Sequence, residues 1–174
     1  MKTIIKPDYK ICIQCLGCNL FLWVNILNDN LDEKIKELKK SCRCVFYPCD
    51  EIDITDYENV PSNFSLNEYE DLKDFIKALN DQGHDENDVR MIFNYLDDMG
   101  QSITDVNPKY IEFQTTDNLS DWAAEFAEGM GFDDSLNSFI SIDWEDTSKN
   151  IINENYYEHY DNVTHQYYLF PNNQ

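Results

Sequence analysis

Six cysteines near the N-terminus are the side chains of this sequence best suited to bind a metal. They lie at Cys12, Cys15, Cys18, Cys42, Cys44 and Cys49. Thiolates in groups of four are common ligands of structural zinc. However, the spacings C-x2-C-x2-C and C-x-C-x4-C match no standard finger or ribbon, and small buried thiols are also common in strands. We therefore predict no metal and no other cofactor, with zinc at these cysteines as the alternative.

Histidines and acids, the other groups capable of catalysis, form no recognisable active-site motif. None of the three histidines, His84, His159 and His165, lies in a catalytic or metal-binding pattern. The nucleophile-elbow, phosphate-loop, zinc-protease and dinucleotide motifs are missing from the sequence. Acids are so numerous that pairs at catalytic spacing are expected by chance. We predict that the protein is not an enzyme, with a hydrolase that uses carboxylates and a divalent metal as the alternative.

The acids are concentrated in the middle of the chain. Residues 51–146 contain 25 Asp and Glu against four basic residues, an excess of 21 negative charges that equals the net charge of the whole protein. Residues 1–50 are close to neutral. A pI near 4.2 argues against direct binding to nucleic acid or to an anionic membrane, because both require Lys and Arg. It favours a basic protein partner.

We expect neither a membrane span nor a secretion signal in this sequence. No stretch approaches 18 consecutive apolar residues, and Met1–Tyr9 has no apolar run followed by a cleavage site. We therefore expect a cytoplasmic protein, in which structural disulfides are rare.

Periodicity and turn residues predict a small α+β unit at the N-terminus. Ile11–Cys15 and Leu20–Ile26 are typical of short strands, with a turn at Gly17–Asn19 between them. An amphipathic helix is predicted from Asn30, followed by a third strand at Cys44–Tyr47. Residues 48–61 are predicted to be extended or looped.

Helices with acidic outer faces are predicted after this unit. Ser65 and Glu68 have the spacing of a capping box at the start of the first helix. Asp85 is predicted to begin the second helix and Gly100 to end it. A third helix is predicted from Leu119 to Gly129 or Gly131.

The remaining elements predicted from the sequence are short. Tyr110–Thr115 and Tyr167–Phe170 are typical of strands. A short apolar helix is predicted from Asp133 to Ile140.

The acidic helices approach the charge density of nucleic acid. B-DNA carries one charge per about 3.4 Å of rise on each strand. A carboxylate at every second or third helical position gives an axial spacing of about 3–4.5 Å. The segments EYEDLKD, DEND and SDWAAEFAEG approach this density. The sequence is therefore compatible with imitation of DNA, although solvation of helix faces is the usual role of such charge runs.

Four segments, taken in their order along the chain, resemble the ArdA antirestriction proteins of mobile genetic elements and phages. They are KICIQCLGCNLFLWVNI, ITDYENVP, NLSDWAAEFAEGMGF and SFISIDWEDTSKNI. The residues that match the family's motifs are Trp23, Asp56, Tyr57, Glu58, Pro61, Asp143 and Trp144.

The resemblance implies an elongated α+β protein of three small domains that forms a homodimer. The N-terminal domain, 1–50, has a small sheet plus a helix. The central domain, 51–108, is acidic and helical, and the C-terminal domain, 109–174, is acidic and α+β with short strands.

The function implied by the resemblance is anti-defence. The protein would imitate bent B-form DNA, occupy the DNA groove of type I restriction–modification enzymes, chiefly the methyltransferase, and compete with duplex DNA in a bacterial host cell. One alternative is a DNA mimic directed at another defence complex, such as a CRISPR nuclease. Another is a zinc-dependent protein-binding module built on the cysteines.

The predicted partner-binding surface consists of carboxylates alone, and no catalytic residue is assigned. Its members are Asp56, Glu58, Glu68, Glu70, Asp71, Asp74, Asp85, Glu86, Asp88, Asp97, Asp98, Asp117, Asp121, Glu125, Glu128, Asp133, Asp134, Asp143, Glu145 and Asp146.

Overall fold

Helices and antiparallel strands are interspersed along the chain in the computed structural model, which describes residues 8–42, 51–62, 64–132 and 141–172. These residues form five α-helices and two three-stranded antiparallel sheets, which confirms the α+β class. The chain divides into two compact units, unit 1 (Met1–Lys109) and unit 2 (Tyr110–Gln174).

The sheet of unit 1 is built on a central strand with a buried apolar face. Strand β1 (Lys10–Cys15) pairs antiparallel with β2 (Leu20–Asn25) on one side and with β3 (Ile52–Glu58) on the other. Ile11, Ile13 and Cys15 are fully buried, as expected for alternate residues of a strand that covers a core. The two N-terminal strands are confirmed, and β3 lies in the stretch predicted to be extended or looped.

The pairing of β3 with β1 bears on the domain organisation. The predicted division between residues 50 and 51 falls within unit 1, where strands from both sides of it share a sheet. The two observed units meet between Lys109 and Tyr110, one residue from the predicted start of the third domain. The three-domain arrangement is not confirmed.

Helix α1 (Leu31–Ser41) begins and ends at residues that its sequence specifies. The Asn30 side chain caps it by accepting a hydrogen bond from the Glu33 backbone N–H, which satisfies one otherwise unpaired donor of the first turn. Its last turn contains Lys39 and Lys40, whose charges complement the helix dipole. The predicted strand Cys44–Tyr47 lies outside the described residues.

The next two helices follow the capping signals closely. The Ser65–Glu68 capping box is present, but the turn it begins is 3₁₀, and α2 proper spans Tyr69–Asp81. Asp85 caps α3 (Glu86–Asp98) by accepting hydrogen bonds from two backbone N–H groups.

A glycine follows the C-cap residue of each of α2 and α3. Gly83 and Gly100 have φ values of +93° and +64°. Glycine adopts this left-handed conformation without the steric cost that a Cβ would add.

Apolar faces of α2 and α3 form much of the core of unit 1. Leu72, Ile76 and Leu79 of α2 are completely buried, and Phe75 stacks on Phe93 of α3 with ring centroids 6.0 Å apart. Burial of such side chains contributes about 1.5–3 kcal/mol each. Because this face is apolar, the acids of both helices are displaced to the outer faces.

Unit 2 packs two helices against a second small sheet. Helices α4 (Leu119–Gly129) and α5 (Trp144–Asn155) lie beside strands β4 (Gln114–Thr116), β5 (Tyr156–Asp161) and β6 (Gln166–Pro171). The strand order is β4-β6-β5, and both pairings are antiparallel. Its core joins the helices to the central strand through Trp122, Ala123, Ile152 and Leu169.

Several sequence predictions for unit 2 are wrong or incomplete. Of the predicted strand Tyr110–Thr115, only the last two residues lie in a strand, namely β4. Its first residue belongs to a 3₁₀ turn, Pro108–Tyr110. Neither α5 nor β5 is predicted from the sequence. The apolar residues of α5 are few and lie among polar ones, so its helical periodicity is weak. The helix predicted from Asp133 to Ile140 lies outside the described residues.

The hydroxyl of Tyr69 links α2 to the loop between β2 and α1. Its oxygen lies 3.2 Å from the backbone carbonyl oxygens of both Ile26 and Asp29, which share its single hydrogen as acceptors, and the side chain is 2% exposed. Burial, together with the charges of Asp29 and Glu70, raises the pKa of Tyr69 to about 12. The hydroxyl is therefore neutral and remains a donor at physiological pH.

We expect Tyr69→Phe to lower the free energy of unfolding by about 1 kcal/mol, because it removes the hydroxyl donor from the buried carbonyl of Ile26. Urea denaturation followed by circular dichroism measures the change. Tyr110→Phe is the control, since that side chain is 74% exposed, and its effect should stay within about 0.5 kcal/mol. Equal effects of the two substitutions would contradict the structural role of the Tyr69 hydroxyl.

Candidate functional site

The acids are distributed unequally between the two units. Unit 1 contains 21 acids and 12 basic residues, whereas unit 2 contains 13 acids and a single base, Lys149. Every described acid of unit 2 except Asp161 is exposed. The surface of unit 2 is therefore negative with almost no cation to neutralise it.

Some of the predicted surface acids are hydrogen-bonded within unit 1. Glu68 accepts hydrogen bonds from the Ser65 hydroxyl at 2.7 Å and the Ser65 N–H at 2.9 Å. These bonds hold the pKa of Glu68 below its usual value. Its contribution to stability is therefore present at neutral pH and is lost as the pH falls through the lowered pKa.

The acids at the start of α3 have a similar capping role. Asp85 caps the helix, and Asp88 completes the box by accepting the Asp85 N–H at 3.1 Å. Asp88 also lies 3.6 Å from Nδ1 of His84. Glu86, which is half-buried, lies in the same first turn, where the helix dipole favours negative charge.

Asp97 is half-buried at the end of α3. Its Oδ2 accepts hydrogen bonds from the backbone N–H and the hydroxyl of Ser62, at 3.0 and 3.2 Å. Its Oδ1 is buried and has no hydrogen-bond partner among the described residues. This side chain anchors the loop before α2, and one of its two oxygens is inaccessible to a partner. The neighbouring Asp98 is exposed.

The outer face of α2 combines acids with a lysine. Glu70, Asp71 and Asp74 are exposed, but Lys77 lies one turn after Asp74 and bonds to it at 2.8 Å. Asp71 and Asp74 line a groove of about 460 Å³ with apolar residues that include Ile103. The negative charge of α2 is therefore interrupted by a cation.

The acids matched to the Asp-Tyr-Glu motif lie on β3. Asp56 and Glu58 are exposed, while the Tyr57 hydroxyl between them donates to the Phe64 carbonyl at 3.3 Å. Glu58 lies 3.6 Å from Lys10 of β1. This part of the predicted surface is also partly neutralised.

Helix α4 carries an acidic stripe without a cation. Asp121, Glu125 and Glu128 are spaced by four and three residues, so they lie on one face of the helix. All three are exposed. The opposite face buries Trp122 and Ala123 in the core of unit 2. Neither Lys nor Arg occurs in α4.

Acids of α5 adjoin the start of α4. Asp117 and Glu145 line one cleft of about 340 Å³ with Lys149. Asp143 caps α5 by accepting the Asp146 N–H at 3.1 Å. Glu145 bonds to Lys149 at 2.9 Å, and this bond and the nearby acids raise the pKa of that lysine. The predicted acids Asp133 and Asp134 lie outside the described residues.

Three of the six cysteines come together in unit 1. The sulfur atoms of Cys15, Cys18 and Cys42 lie within 4.8 Å of one another, and no other group of three potential metal ligands occurs in the described parts of the chain. Cys12 is not a member, because it lies in mid-strand opposite Trp23 of β2. Cys44 and Cys49 lie outside the described residues.

Cys42 differs from the other described cysteines in its oxidation state. Cys12, Cys15 and Cys18 are free thiols, whereas Cys42 is disulfide-bonded. The expected rarity of disulfides therefore does not hold at this position. The spacing alone did not reveal which three thiols meet, because their proximity depends on where α1 ends relative to the β1–β2 turn.

No protein-family model, curated protein or solved structure matches this chain. Among the helices that the structure describes, none combines the length and apolarity needed to cross a membrane.

The acidic stripe makes a prediction about stability. We expect Glu128→Gln to raise the free energy of unfolding by about 0.3–1 kcal/mol at low ionic strength, because it removes a negative charge from the last turn of α4. Asp143→Ala should instead lower it by about 1 kcal/mol, since it removes a helix cap. Urea denaturation measures both, and a loss of stability in Glu128→Gln would show that Glu128 serves the fold.

Proposed function

We propose that the protein is a DNA mimic that inhibits restriction by occupying the DNA groove of a type I methyltransferase. The observation that carries the proposal is the uninterrupted acidic stripe of Asp121, Glu125 and Glu128 on α4. The target class and a homodimeric state come from the resemblance to the ArdA family. Inhibition is stoichiometric competition with duplex DNA, and the inhibitor catalyses no reaction.

The spacing of the stripe supports this role. At about 1.5 Å of rise per residue, its carboxylates are separated by about 6 and 4.5 Å along the axis. This is sparser than the charges of one DNA strand, which rise by about 3.4 Å each. Further acids of unit 2, Asp117 and Asp146, are exposed near the starts of α4 and α5 and add to the local density. A groove lined with Lys and Arg would meet a dense array of oxyanions.

The near absence of cations in unit 2 also supports the proposal. If the acids served only to keep the fold soluble, a mixture of acidic and basic residues would give a more stable protein. Ion pairs at helical spacing stabilise a helix, whereas like charges at that spacing destabilise it. The one base, Lys149, is bonded to Glu145. The remaining carboxylates repel one another and release bound cations when a basic groove covers them, as DNA does.

We propose an interface of fewer acids than were predicted from the sequence. Glu68, Asp85, Asp88 and Asp97 bond to their own backbone or to neighbouring side chains, so unit 1 contributes through its other exposed acids, those of α2 together with Asp56 and Asp98. Unit 2 contributes α4 and the start of α5. Binding energy is then spread over many carboxylates.

The first test compares two variants with the same net charge. We expect Asp121→Asn/Glu125→Gln/Glu128→Gln to weaken binding to a type I methyltransferase roughly tenfold or more, at about 0.5–1 kcal/mol per charge. Displacement of labelled duplex DNA measures the affinity. The control, Asp32→Asn/Glu33→Gln/Glu37→Gln, removes three exposed acids of α1 and should have little effect. Equal losses would mean that net charge alone, and not the stripe, determines binding.

The second test uses ionic strength. We expect the affinity for the methyltransferase to fall about a hundredfold or more between about 50 and 200 mM salt, because binding releases counterions. Over the same range, the free energy of unfolding of the inhibitor should rise, since salt screens its self-repulsion. Because salt is expected to lower the affinity but to raise the stability of the inhibitor, a loss of binding at high salt is not caused by unfolding. A ternary complex with bound duplex, or binding indifferent to salt, would refute mimicry.

A further inference from the structure

The cysteine cluster of unit 1 has a geometry that the acidic surface does not explain. Cys15 is the last residue of β1 and Cys18 lies in the turn that follows it, where the Cys18 N–H donates to the Cys15 carbonyl at 3.3 Å. Cys42 directly follows α1 as its C-cap residue. The fold therefore brings a C-x2-C turn and a helix end together from distant parts of the sequence.

We propose that Cys15, Cys18 and Cys42 of the reduced protein bind a zinc ion. Tetrahedral zinc bonds to sulfur at about 2.3 Å, which sets sulfur atoms about 3.8 Å apart. The three sulfurs already lie within 4.8 Å of one another, so a contraction of about 1 Å brings them to coordination distance. Water or a further side chain supplies the fourth donor.

The burial of these sulfurs also suits a metal site. Cys15 is buried, whereas Cys18 is half-buried and therefore accessible to an ion from solvent. A divalent cation displaces the protons of the thiols that it binds and neutralises their negative charges.

Zinc and the disulfide compete for Cys42. A sulfur in a disulfide is not a thiolate ligand, so the site exists only after reduction. A phosphine reductant breaks the S–S bond. Its phosphorus takes the oxygen atom of one water to become a phosphine oxide, and the two protons of that water go to the two thiols. Zinc then binds and releases the protons of the coordinating thiols.

Bound zinc would tie the β1–β2 turn to the end of α1. This function is independent of DNA mimicry, since no member of the acidic stripe takes part. Three thiolates favour zinc over the hard cations Mg²⁺ and Ca²⁺, which prefer oxygen ligands.

The test is a metal titration of the full chain after reduction by the phosphine and removal of excess reagent without oxygen. Cobalt(II) should produce the thiolate charge-transfer absorption of a tetrahedral site, saturate at about one equivalent and be displaced by zinc. The untreated protein, in which Cys42 remains disulfide-bonded, should not produce this absorption. If the reduced protein does not produce this absorption, the proposal is overturned regardless of the results with the variants.

Matched cysteine variants locate the site. Cys18→Ser should lower cobalt affinity about a hundredfold or more, because it removes a ligand from a half-exposed position. Cys12→Ala, a cysteine outside the cluster, should bind as the wild type does, and equal losses in the two variants would overturn the assignment. Zinc should also raise the melting temperature of the reduced wild type. An equal rise in Cys42→Ser would exclude Cys42 as a ligand.

Discussion

Mutual repulsion of carboxylates is the constraint on which this structure depends. An excess of 21 negative charges on 174 residues opposes any compact state, and the repulsion is relieved only by distance, solvent and counterions. The helices reduce this repulsion by placing apolar side chains on one face and acids on the other. Apolar side chains such as Ile76 and Ile92 are completely buried, while Glu70 and Glu125 extend into solvent.

The fold also uses acids where local dipoles favour negative charge. Asp85, Asp88 and Asp143 lie at helix starts and accept backbone hydrogen bonds, so their charge adds to stability. Glu128 lies in the last turn of α4, where the dipole opposes it. Two populations of carboxylate therefore coexist on one chain. One population is explained by folding, and the other requires an explanation outside the fold.

The parts of the fold that were predictable from sequence have local causes. The Ser65–Glu68 box, the Asp85 cap and the spacing of Trp122, Ala123 and Phe126 specify their helices within a few residues. Helix α5 was missed because its stripe contains only Trp144, Ile151 and Ile152 among polar residues, and its burial depends on α4 and β6. Likewise, β3 forms because the edge of β1 that β2 leaves open is available for pairing. The local periodicity of the β3 sequence does not reveal this partner.

The residues of the candidate site also divide into those whose position follows from local sequence and those whose position depends on distant contacts. Exposure of the α4 stripe follows from the i, i+4, i+7 spacing alone. In contrast, the hydrogen bonding of Asp97 depends on Ser62, 35 positions earlier in the chain, and no local pattern predicts it. The cysteine cluster is equally nonlocal, since Cys42 joins Cys15 and Cys18 only after α1 has packed beside the sheet.

The rigidity of α4 distinguishes its stripe from an acidic tail of the same charge. Trp122 packs against Phe126 and Tyr156 with ring centroids 5.4 Å away in each case, and its indole N–H donates to Gln114 at 2.8 Å. These contacts hold the buried face in place. They therefore fix Asp121, Glu125 and Glu128 at set intervals. A disordered tail would lose chain entropy on entering a groove. A folded helix has already lost that entropy on folding, so more of its electrostatic energy is available for binding.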